Sequence, residues 1–321
     1  MKAAIVTQLG QPPEASTFDA PSCKDGEVLV HVRAAAISQL VRARASGTHY
    51  SFDGHYPFIP GVDGVGTLPD GTRVYFAFPA APFGAMAEQV AVPRLQCVTL
   101  PDGLDDISAA ALANPGMSSW IALKERAGLH AGESVLINGA TGASGMLAVQ
   151  IAKHLGASHI IATGRNAQKL AHLKTLGADE TIQLTEDAAT MQKTFSAALD
   201  TGADVILDYL WGPSARALLE AASHALPHEK RRRFVQIGSQ SGAEISLPGG
   251  WLRSCAIELM GSGLGSVPTP KIIAAIGEML QLAADTGIRI PTQAHPLSAL
   301  RKAWADTGSD MRQVITFPET V

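Results

Sequence analysis

The sequence predicts an α/β fold in two parts, a doubly wound parallel-sheet domain and a mainly-β domain. Three observations predict it. From about Asn114 onward, strand-like and helix-like segments alternate. A glycine-spaced turn joins the first of those strands to its helix. Before about Ala113 the chain instead shows short strands among Gly- and Pro-rich turns.

The first part opens the justification. Glu27–Ala35, EVLVHVRAA, alternates apolar and polar residues as a half-buried strand does. Pro57–Phe76, PFIPGVDGVGTLPDGTRVYF, sets short apolar runs among glycines and prolines and suits a small barrel or sandwich. The rhythm then changes. The strands SVLING, HIIATG, ETIQL, DVILDYL and RFVQIGS alternate with the helices MLAVQIAKHLG, AQKLAHLKTLG, ATMQKTFSAAL and SARALLEAASHAL. Such alternation means a parallel sheet with right-handed crossovers. A further helix is expected over Lys271–Asp285, after which the βα pattern stops. The chain is therefore expected to return to the first domain and to leave a cleft between the two, where ligands commonly bind. The expected boundaries are 1–113, 114–266 and 267–321, the last segment being a connecting helix and the return.

Composition narrows the function classes. The 321 residues are 46% apolar and 17% charged, enough to fill sizeable cores, and the net charge of −4 argues against a nucleic-acid binder. The dense basic run His228–Arg233, HEKRRR, reads as a solvated turn before a strand. No apolar run approaches the ~18 residues that span a bilayer, and the N-terminal apolar segment is too short for a signal peptide. Cys23, Cys97 and Cys255 lie far apart, which excludes a disulfide framework and a cysteine-rich zinc lobe. A soluble, reduced, cytoplasmic protein is expected.

The turn Gly139-Ala140-Thr141-Gly142-Ala143-Ser144-Gly145 carries the chemistry. Glycine there removes the Cβ that would block a phosphate, and the following helix offers unpaired N–H groups to a pyrophosphate. Inside a βαβ repeat this spacing predicts a dinucleotide site. The second strand ends in Thr163, Gly164, Arg165 and Asn166, with Lys169 a turn later. A site for NAD places an acid there to hold the ribose 2′-hydroxyl. Here no acid is present, and a guanidinium suits a 2′-phosphate, so the cofactor expected is NADPH.

At this point the chain resembles a family. GVDGVGTL, AAALANPGMSSWIAL, ERAGLHAGESVLINGATGASGMLAVQIAKHLGA, IIATGRN and IELMGSG are similar to segments of the medium-chain dehydrogenase/reductases, in particular their zinc-independent, quinone-oxidoreductase-like branch. The resemblance implies a GroES-like substrate domain formed from the N- and C-terminal segments, a Rossmann cofactor domain, and a homodimer built through the cofactor domains. It implies cofactor contacts from Ser118, from Asp208 and Tyr209 at the end of the fourth strand, from Ile237, Gly238 and Ser239 at the fifth, and from Gly261 and Ser262 at the sixth. Trp120 and Trp211 read as packing residues. The departures matter as much. Zinc-dependent members carry a ligand cysteine in the segment matching Ala34–Gly47 and a Gly-His-Glu matching Gly61-Val62-Asp63. Val62 replaces that histidine, and no cysteine lies near Ser38. Catalytic zinc needs about three protein ligands, so no metal is expected. Asp63 then reads as a turn or interdomain hydrogen-bonding residue.

Without a metal the substrate must already be electrophilic, such as a quinone or an α,β-unsaturated carbonyl, and the protein must position it and donate hydrogen bonds to the developing oxyanion. The resemblance implies Tyr50 and Ser38 for that work. Val41 and Ala43 replace polar or aromatic residues of some quinone reductases and imply a more apolar pocket. The expected activity is NADPH-dependent hydride transfer to a small conjugated acceptor, a quinone first. The rivals are an enoyl or alkenal C=C reductase of one metabolite, an NADPH-binding sensor or structural protein with little turnover, and a zinc alcohol dehydrogenase. Val62 argues against the last.

Overall fold

The computed structural model describes residues 1–318 apart from 50, 51 and 53. The chain divides into two compact units, Met1–Asn114 with Ile273–Val321, and Pro115–Ile272.

The first unit begins with β1 (Lys2–Ile5) and β2 (Glu14–Thr17), paired antiparallel. There follow β3 (Glu27–Ala36), α1 (Gln39–Ala45), β4 (Asp63–Thr67), β5 (Arg73–Ala77), β6 (Gln89–Pro93) and β7 (Cys97–Thr99). The alternation read in EVLVHVRAA is real: Val30, Val32 and Ala34 of β3 are buried while the residues between them are half-buried. β3 pairs antiparallel with both β4 and β6. Helix α2 (Asp106–Ile121) then spans the boundary between the units and passes into a π-helical segment, Ala122–Ala127.

The second unit alternates β8 (Ser134–Asn138), α3 (Ala143–His154), β9 (His159–Gly164), α4 (Ala167–Thr175), β10 (Glu180–Gln183), α5 (Ala188–Thr201), β11 (Val205–Asp208), α6 (Gly212–His224), β12 (Arg232–Gln236), α7 (Gly249–Ser254) and β13 (Ile257–Gly261). The six strands are parallel, in the order β10-β9-β8-β11-β12-β13. That is a doubly wound Rossmann sheet, reversing direction between β8 and β11. Every residue of β8 and β11 is buried, as a parallel sheet covered on both faces requires. Leu136, Ile161, Ile206 and Phe234 of the sheet share one core with Phe195 of α5 and Leu218 of α6.

Helix α8 (Thr269–Thr286) leads back to the first unit, followed by β14 (Thr292–Pro296), α9 (Leu300–Ala305) and β15 (Arg312–Thr316). β15 pairs antiparallel with β3 and parallel with β14, so the end of the chain completes the β-rich sheet of the GroES-like domain. Among the described residues no helix is long and apolar enough to cross a membrane.

One expectation needs correction. The basic run is not simply a solvated turn, because Arg232 and Arg233 open β12 and are only 1% and 2% exposed. The Arg233 guanidinium donates to the carbonyls of Ala127 at 2.8 Å and Gly128 at 3.2 Å and pairs with Glu133. Arg232 donates to the carbonyls of Leu226 and Pro227. The Arg233 bonds satisfy carbonyls at the end of the π-helical segment, and those of Arg232 fall on the loop beyond α6. Arg231 stays at the surface, paired with Glu258.

Candidate active site

β8 ends at Asn138, and the glycine turn follows. Two of its glycines are explained by the protein itself. Gly139 has φ +87°, and a Cβ there would lie 2.8 Å from Leu210 Cγ. A Cβ on Gly145 would lie 2.5 Å from Ala140 Cα. Gly142 is different. Its φ of −87° suits any residue, and a Cβ would meet nothing nearer than the Gly139 carbonyl at 4.0 Å. Nothing in the protein requires glycine there, and the space over it is open. Gly142 is also the N-cap of α3, and no side chain caps that helix. Helices α4 and α5 have side-chain caps, Asn166 Oδ1 accepting from Lys169 N and Asp187 Oδ2 from Thr190 N, whereas α6 and α7, like α3, have none. The first N–H groups of α3 therefore have neither a partner within the helix nor a side-chain cap. Thr141, Ala143 and Ser144 are not fully buried around the turn.

A buried polar network lies beneath it. Thr163 Oγ1 donates to Asn138 Oδ1 at 2.7 Å and accepts from Gly139 N at 3.1 Å. Asn138 Nδ2 donates to Asp208 Oδ1 at 2.8 Å and to Ser214 Oγ at 3.0 Å. The Asp208 carboxylate also accepts from the N–H groups of Leu210 and Trp211. Burial pushes its carboxyl up to about 6, against the opposing pull of these hydrogen bonds. Thr163 and Asp208, expected at the cofactor, thus spend their polar atoms inside the protein, where they hold the turn. The Tyr209 ring is buried likewise, and its hydroxyl lies 2.8 Å from Ser119 Oγ.

The other expected residues fall at the carboxyl ends of the parallel strands. Gly164 ends β9, and Arg165 follows it, exposed, its guanidinium without a hydrogen bond or ion pair among the described residues. Lys169 is half-buried in the first turn of α4. The N–H groups of Ile237 and Gly238 both donate to the Asp208 carbonyl, and Ser239 continues that loop. Gly261 ends β13, and Ser262 N donates to the Gln236 carbonyl. Ser118 donates its hydroxyl to the Pro115 carbonyl at 2.9 Å. Sequence reasoning missed Asn138 and Ser119. A polar residue closing the otherwise apolar run SVLIN was the available sign for Asn138. Ser119 carried no sign beyond its place beside Ser118.

In the first unit, Ser38 is buried and caps α1, its Oγ accepting from Val41 N at 3.0 Å. Its own hydroxyl proton has no acceptor among the described residues. Tyr50 lies outside the described residues. Val41, Phe52, Phe58, Val62 and Phe83, with Arg44, line a small surface pocket. Asp63 is not a turn residue: it lies in β4 and accepts at 2.7 Å from the hydroxyl of Tyr75 on the adjacent β5 of the same unit. Burial pushes its carboxyl up to about 6, while Tyr75 and Arg312 act against the rise. A zinc ion does not fit this set. Val62 offers no donor, Asp63 is engaged, and the described residues contain no cluster of three His, Cys, Asp or Glu able to hold a metal.

A Rossmann sheet with an uncapped glycine turn beside its switch point, joined to a β-rich unit closed by the end of the chain, defines a two-domain dinucleotide-dependent oxidoreductase architecture. The chain is similar to members of the medium-chain dehydrogenase/reductase family. A family model described as zinc-binding dehydrogenase matches residues 143–285. A protein named probable NADPH-dependent quinone reductase, from Emericella nidulans, is 26% identical over 99% of this chain and 100% of its own length. The 2-methylene-furan-3-one reductase of Solanum lycopersicum is 33% identical, over 54% of this chain and 48% of the relative. The crystal structure of the quinone oxidoreductase from Thermus thermophilus, also solved in complex with NADPH, is 26% identical with a TM-score of 0.82, covering 99% of this chain and 100% of that one.

Proposed function

We propose that this protein is an NADPH-dependent, metal-free oxidoreductase that transfers hydride to a quinone or another activated conjugated acceptor. The observation that carries the reading is Gly142: a glycine required by no contact or dihedral of the protein, at an uncapped helix N-terminus, is accounted for by a ligand lying against the backbone. When bound, NADPH supplies the hydride. The residues of the chain do the rest. The N–H groups of Ala143, Ser144 and Gly145 would hold the pyrophosphate, and the exposed Arg165 guanidinium the 2′-phosphate. Ile237, Gly238, Ser239, Gly261 and Ser262 would flank the cofactor at the strand ends. Ser38, with a hydroxyl proton still available, would donate to the acceptor's developing oxyanion, and Tyr50, outside the described residues, would be a second donor.

Two relatives bear on the acceptor. The likeness to quinone reductases along the whole chain supports a quinone. The likeness to 2-methylene-furan-3-one reductase supports a second reading, reduction of an activated C=C bond. NADPH oxidation measured against a panel of benzoquinones, naphthoquinones, enones and short enals tests both. Turnover of enals alone selects the second reading. Tight NADPH binding without turnover of any acceptor would leave a binding protein and overturn both.

The reading extends to assembly and place. β13 is an edge strand with Glu258, Leu259 and Gly261 exposed, and pairing of two such edges supports a homodimer through the cofactor domains. Three free, dispersed cysteines fit a reducing cytoplasm.

A further inference from the structure

Ser119 sits on α2 and is fully buried. Its Oγ lies 2.9 Å from the Ser144 carbonyl, 3.1 Å from the Pro115 carbonyl and 2.8 Å from Tyr209 Oη. A serine hydroxyl has a single proton, so it serves one carbonyl well. The Pro115 carbonyl already has the Ser118 hydroxyl as donor at 2.9 Å, which frees the Ser119 proton for Ser144. With that proton on the Ser144 carbonyl, Ser119 Oγ can only accept from the Tyr209 hydroxyl 2.8 Å away. The bonds run in one direction, from Tyr209 to Ser119 to the Ser144 carbonyl.

Ser144 stands in the first turn of α3. Its carbonyl and the Gly145 N–H belong to one planar trans peptide and point in opposite directions. Holding the carbonyl therefore aims the N–H. That N–H is among the first of α3, which have no partner within the helix; the ladder of helical bonds begins with Met146 N to the Gly142 carbonyl.

We infer that Ser119 and Tyr209 are positioning residues for the dinucleotide: their hydroxyls, neither of which need touch the ligand, fix the Ser144–Gly145 peptide so that its N–H meets the pyrophosphate. The inference rests on the proposed NADPH function. The pairing also accounts for a tyrosine directly after β11, because the phenol reaches across to α2 and joins the strand end to the phosphate turn.

The test is NADPH titration, followed by fluorescence, of the parent protein, Ser119→Ala, Tyr209→Phe and the double variant, with the melting temperature of each. Each single variant is expected to bind NADPH roughly 3–10-fold more weakly, the worth of one aimed hydrogen bond. The double variant is expected to be little weaker than Ser119→Ala, since the two hydroxyls act in series. The preference for NADPH over NADH should hold, because the 2′-phosphate is read elsewhere. In turnover the change should fall on the KM for NADPH rather than on kcat. Tyr209→Phe removes one oxygen and keeps the ring, so it carries the test if Ser119→Ala fails to fold. A parent that binds NADPH, with folded variants binding within twofold of it while only their melting temperatures drop, would make the pair structural and overturn the inference alone. A parent that binds no NADPH would overturn the functional reading and this inference together.

Discussion

Asn138 Nδ2 donates to Asp208 Oδ1 at 2.8 Å, and this bond joins the ends of β8 and β11, the two strands between which the sheet reverses its winding. Ligands of open α/β sheets bind outside such a switch point. The other end of the Asn138 amide accepts from Thr163, so one side chain ties three strand ends together. The floor of the candidate site is therefore held by a buried hydrogen-bonded network.

That network makes stability depend on pH. The Asp208 carboxyl is raised from its ordinary 3.8 to about 6, so the folded chain binds its proton more tightly than the unfolded chain. Between those values folding takes up a proton. Stability from this group is complete below the window and declines as pH rises through about 6, by an amount on the order of 3 kcal/mol. Asp63, raised to the same value, adds a slope of the same sign. Asp208→Asn keeps an acceptor for the Leu210 and Trp211 N–H groups but does not titrate. Denaturant melts at a series of pH values should give it a flatter profile than the parent. An unchanged slope would place the titration elsewhere.

Gly142→Ala separates packing from binding. The added methyl crowds no protein atom, its nearest neighbour lying 4.0 Å away, and φ stays in an ordinary region. The melting temperature should stay close to that of the parent while NADPH affinity drops at least about tenfold, because the methyl occupies the space of the ligand. Gly145→Ala should do the reverse and destabilise the chain, its Cβ falling 2.5 Å from Ala140 Cα. Undiminished NADPH binding by Gly142→Ala would remove the main support for the site.

Arg165→Ala addresses the choice of cofactor. Loss of a charge-assisted contact to phosphate costs roughly 1.5–3 kcal/mol, so NADPH should bind about 10–100-fold more weakly. NADH binding should not change. Calorimetric titration with both cofactors checks this, and an equal loss for the two would assign Arg165 to something other than the 2′-phosphate.

The donor set predicts indifference to metal. Val62 and the engaged Asp63 leave zinc without ligands, so the purified protein should hold substoichiometric zinc by elemental analysis, and its activity should survive prolonged chelation. One zinc per chain, lost together with activity, would reverse the assignment.

The sequence by itself determined what depends on local pattern. Alternation of strand-like and helix-like segments marked the doubly wound sheet, period-2 spacing marked the strand in EVLVHVRAA, glycine spacing located the turn between β8 and α3, and the missing acid after HIIATG pointed to NADPH. These are legible because each is settled by neighbouring residues through backbone geometry. The tertiary structure decided what depends on distant partners. HEKRRR looks solvated until the end of the π-helical segment supplies carbonyls to Arg233 and the loop beyond α6 supplies them to Arg232. Thr163 and Asp208 look like cofactor ligands until Asn138 takes up their polar atoms from another strand. Ser119 looks like any helical serine until Tyr209 and Ser144 close around it. A buried polar group takes its role from the partner that satisfies it, and chain folding alone brings that partner near.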